Sequence, residues 1–66
     1  MTEEYINIVS ELRDNLILGN NIIEKFIVNN KDIITQDAIK ELYKSIGNNK
    51  IAINTYNKVI EKIRLK

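Results

Sequence analysis

Sixty-six residues hold one small domain, 1–66, with room for two to four helices and none for a catalytic α/β architecture. The chain contains no His, Cys, Trp or Pro, which excludes disulfides, thiolate nucleophiles, cysteine-ligated zinc and every histidine-dependent catalytic arrangement. Its net charge of +1 points to no polyanion by itself, and no apolar run approaches the ~20 residues that cross a bilayer.

Isoleucine, asparagine and lysine are heavily over-used, as AT-rich codons would produce. This composition fits a low-GC bacterium, its phages or its mobile elements. The acidic start Met-Thr-Glu-Glu is unlike a secretory signal, so the expected compartment is the cytoplasm. No cofactor and no metal site are expected. Glu3, Glu4 and Glu11, or Asp37 and Glu41, are better read as helix-start and surface charges than as paired catalytic acids.

The first half places apolar residues at Tyr5, Val9, Leu12, Leu16, Gly19, Ile23 and Phe26, in alternating steps of four and three. That spacing is the seam of a helix packed on another helix. Ile6, Ile8, Ile22 and Ile27 flank this seam, so the half has more apolar surface than one partner helix covers. The turn is placed at 30–34, with Asn29 and Asn30 suited to end a helix in the left-handed region. Thr35 is the N-cap of the next helix, with Gln36 and Asp37 in its first turn.

The second half repeats the pattern at Ile39, Leu42, Ile46, Asn49, Ile53, Tyr56, Ile60 and Ile63. In an antiparallel hairpin Phe26 then faces Ile39, Ile23 faces Leu42, Gly19 faces Ile46 and Leu16 faces Asn49. Leu12 with Ile53, Val9 with Tyr56 and Tyr5 with Ile60 continue the layers. Two Gly-Asn-Asn triplets, at 19–21 and 47–49, resemble a helix stop followed by a new N-cap. The expected fold is therefore an all-α antiparallel helical hairpin, with candidate breaks at 19–21 and 47–49 that would divide it into three or four helices. Apolar burial in so short a chain barely offsets the entropy of ordering it. Without a disulfide or metal, pairing of two copies into a helical bundle is the natural remedy.

Three readings of function follow. The first is a small non-enzymatic protein-binding regulator or inhibitor that acts as a homo-oligomer, with Ile17, Leu18 and Ile51 as the partner-binding residues because they fall off both seams. The second is nucleic-acid binding. Residues 1–30 carry two basic and five acidic groups, whereas 31–66 carry eight basic and four acidic ones. Here a helix-turn-helix-like segment, 36–63, or a lysine stripe would use Lys40, Lys44, Lys50, Asn54, Lys58, Lys62 and Arg64, with Lys66 continuing the stripe. The fit is poor in detail, because Tyr43 and Asn48 stand where that motif usually takes a small and an apolar residue. The third is a small-anion site between subunits.

Overall fold

The computed structural model describes residues 2–65. Helix α1 runs Thr2–Asn30 and helix α2 runs Gln36–Arg64, each of 29 residues, and they pack antiparallel as a hairpin. The absence of proline and the spread of Lys, Glu and Leu, all good helix formers, let both helices run unbroken. At 1.5 Å per residue each spans about 43 Å, and the molecule is a rod of 50 × 15 × 10 Å. Its radius of gyration is 15.2 Å, against about 11 Å for a compact domain of this length.

The turn is held by local bonds. The Asn30 carbonyl accepts the N–H groups of Ile33 at 2.9 Å and Ile34 at 3.0 Å. The Asn30 side chain folds back on the last turn of α1 and donates to the Phe26 carbonyl at 2.9 Å. No described residue has a positive φ, so the expected left-handed ending does not occur. The chain instead leaves α1 through right-handed turns closed on the Asn30 carbonyl. Thr35 caps α2 as read from the sequence, its hydroxyl accepting from the Ala38 N–H at 3.2 Å.

Both Gly-Asn-Asn triplets lie inside continuous helix, so neither candidate break forms. A glycine in a helix interior costs about 1 kcal/mol relative to alanine. A break would cost more, because it would orphan backbone groups at two new helix ends and interrupt the seam. The asparagines that might have capped new helices bond across the hairpin instead. Asn49 Nδ2 donates to Asn20 Oδ1 at 2.8 Å, and Asn20 Nδ2 reaches the Ile46 carbonyl at 3.5 Å.

The seam of α2 is the one read from the sequence: Ile39, Ile46 and Ile60 are buried, and Leu42, Asn49, Ile53, Tyr56 and Ile63 are half-buried. The seam of α1 is rotated by one residue. Val9, Leu16 and Ile23 stay on it, but Ile6, Asn20 and Ile27 are buried where Tyr5, Gly19 and Phe26 were expected. Arg13 takes the place of Leu12 and donates to Asn57 Oδ1 at 3.0 Å. Asn20 rather than Gly19 therefore meets Ile46 and Asn49, which shifts the expected register by one residue. Three cross-helix polar bonds fix a rotation that apolar patterning alone does not select. A buried cluster lies toward the turn, where Ile27, Ile39 and Ile46 gather Ile23, Ile34 and Leu42.

Candidate interaction face

The rotation of α1 creates the candidate site. With heptad position a at Ile6, positions a and d of α1 meet α2. The neighbouring positions g and c are Tyr5, Leu12, Gly19, Phe26 and Ile8, Asn15, Ile22, Asn29. They form a second stripe with the same three-and-four spacing, next to the covered one. Its large side chains, Tyr5, Ile8, Leu12, Ile22 and Phe26, are each 45–59% exposed. Gly19 sits midway along this stripe, with no atom within 4 Å of where a Cβ would stand.

The corresponding edge of α2 consists of Ala38, Ser45, Ala52 and Val59, again at heptad spacing. The first three are half-buried and small, and Val59 is just exposed. An open cleft of about 400 Å³, lined by Thr2, Tyr5, Val59, Lys62 and Ile63, joins the two edges at the end away from the turn. The result is one broad apolar face with bulky side chains along α1 and small ones along α2. Isolated exposed apolar residues are ordinary; here two groups on one face, Tyr5, Ile8 and Leu12 and then Ile22 and Phe26, with Asn15 and Gly19 between them, make this the candidate interaction surface.

The three residues singled out from the sequence are all exposed, but they do not form one patch. Ile17 borders the opposite edge of the seam, on the side of Arg13 and Asn57. Leu18 stands on the outer back of α1, one turn from Ile22, and Ile51 on the outer back of α2 among exposed polar neighbours. The stripe on α1 was missed except for Ile8 and Ile22, noted as flanking residues. Its signal was present as two overlapping apolar patterns, one residue apart, in the first half of the chain.

The basic residues are distributed over the outer surface of α2. Lys40 and Asn54 share one heptad position, Lys44 and Lys58 a second, and Lys50 and Arg64 a third; Lys62 lies at a fourth. All are exposed, and Lys44 approaches Glu41 at 3.9 Å. Because α2 is one helix from Gln36 to Arg64, there is no turn at 47–49 and no helix-turn-helix. Lys66 lies outside the described residues. Lys62 is the single basic group lining the cleft, which gives the anion reading little to work with. Among the described residues no three acidic side chains are grouped to hold a metal, and no helix is long and apolar enough to cross a membrane. Comparison with family models, curated proteins and solved structures returns no match, so the functional reading rests on the geometry of the hairpin alone.

Proposed function

We propose that this chain is a small, cytoplasmic, non-enzymatic regulator or inhibitor that self-associates and binds another protein through apolar helical surface. The observation supporting it is the balance of apolar side chains. Thirteen large ones are exposed, against five buried, among the described residues. A hairpin that only had to fold would place polar groups at many of those positions. Ile17, Leu18 and Ile51 remain the candidates for contact with a different protein, since they lie outside both the seam and the broad face.

The test is affinity capture from a nuclease-treated low-GC bacterial lysate, with wild-type and Leu18→Glu baits compared. The reading expects one protein to be retained by wild type and lost with Leu18→Glu, while circular dichroism shows unchanged helicity. Retention only in the absence of nuclease would transfer the function to nucleic acid. Equal retention by both baits would remove Leu18 from the binding surface.

A further inference from the structure

We infer that the broad apolar face is covered by a second copy of the chain, stacked with its long axis alongside and both turns at the same end, to give a four-helix bundle. This rests on the self-associating part of the function proposed above, and commits it to one surface and one arrangement.

The first support is area. A folded monomer of 7.7 kDa exposes about 4,300 Å² by the usual scaling with mass. This chain exposes 5333 Å². The excess is on the order of 1,000 Å² per copy, close to the roughly 800 Å² that each partner contributes to a stable interface. Five of the thirteen large exposed apolar side chains lie on the stripe of α1, and no charged residue occupies its heptad positions there.

The second support is shape. A two-fold axis along the rod sets α1 of each copy over α2 of the other. Tyr5, Leu12 and Phe26 of one copy then lie over the edge formed by Val59, Ala52 and Ala38 of the second copy, bulky against mostly small. The open position at Gly19 comes near Ser45 of the second copy and permits close approach. A two-fold axis across the rod would instead set α1 on α1, bulky against bulky, and leave the small edges facing each other.

The third support is charge. Helix α1 carries five acidic groups against two basic, and α2 carries six basic against three acidic. Stacking α1 over α2 joins opposite signs, whereas α1 over α1 joins two acidic helices. Charges flanking an interface contribute little energy one by one, but they select orientation.

The native chain has no cysteine, so Ile33→Cys offers one labelling site per copy. Ile33 lies in the turn and is 81% exposed, so a nitroxide there leaves the fold intact. Double electron–electron resonance should give a distance of roughly 15–30 Å, from helix axes 8–10 Å apart plus two label arms. A distance near the 50 Å length of the rod would mean turns at opposite ends and would overturn the arrangement. Absence of dipolar coupling together with a monomeric mass would overturn the inference altogether. The companion variant Leu12→Glu/Ile22→Glu should weaken dimerisation at least tenfold and keep its helicity; an undiminished dimer would count against this face. Leu18→Glu should leave the dimer unchanged, which keeps this outcome separate from loss of partner capture.

Discussion

Gly47→Ala gives the sharpest test of the fold, because a continuous α2 and a broken one predict opposite signs. Gly47 is exposed, sits in the interior of Gln36–Arg64, and has helical neighbours on both sides. No atom lies within 4 Å of where the new methyl would go. Helix propensity then acts alone and stabilises the variant by about 0.8–1 kcal/mol. For a domain of this size that corresponds to a rise in midpoint of about 4–8 °C. Thermal unfolding followed by circular dichroism at one fixed protein concentration measures it; concentration must be matched because self-association also moves the midpoint. If Gly47 instead ended a helix in the left-handed region, alanine would be strained there and the midpoint would fall. A fall would refute the continuous helix and restore the break at 47–49.

Three further outcomes follow from the same geometry. Thr35→Ala removes the hydroxyl that caps α2 and should cost about 1 kcal/mol, read from chemical denaturation; an unchanged midpoint would show that the cap contributes nothing. A double-mutant cycle on Asn20→Ala and Asn49→Ala should return a coupling of about 1 kcal/mol for their 2.8 Å hydrogen bond. Additive effects would mean that the two side chains do not pair and that α1 is rotated differently. Lys58→Gln/Lys62→Gln should leave capture of a protein partner intact in the presence of nuclease, whereas loss of capture would place these lysines in the protein-binding surface.

The second half of the chain was readable because its apolar residues form one narrow stripe. Only one rotation buries Ile39, Ile46, Ile53 and Ile60 together, and Thr35 marks its start clearly. The first half was ambiguous for a physical reason. Tyr5 and Ile6, or Phe26 and Ile27, are adjacent apolar pairs, so the arc is wide enough to offer two seams. Polar residues at 13 and 20 argued for the wrong one. Arg13 and Asn20 are tolerated on the seam only because Asn57, Asn49 and the Ile46 carbonyl receive or supply their hydrogen bonds. Such pairing depends on residues more than twenty positions away, and no local rule reveals it. The same long-range bonding explains why Gly-Asn-Asn failed as a stop. The candidate face followed from the rotation: with the seam displaced by one residue, Tyr5, Leu12 and Phe26 moved from supposed core to exposed surface.

The central claim is that the apolar stripe beside the hairpin seam holds two chains together. Sedimentation equilibrium of the unmodified protein at micromolar concentration tests it most directly. The account predicts a mass twice the 7.7 kDa of one chain, reduced toward one chain by Leu12→Glu/Ile22→Glu. A stable, fully helical species of 7.7 kDa across that concentration range would contradict it.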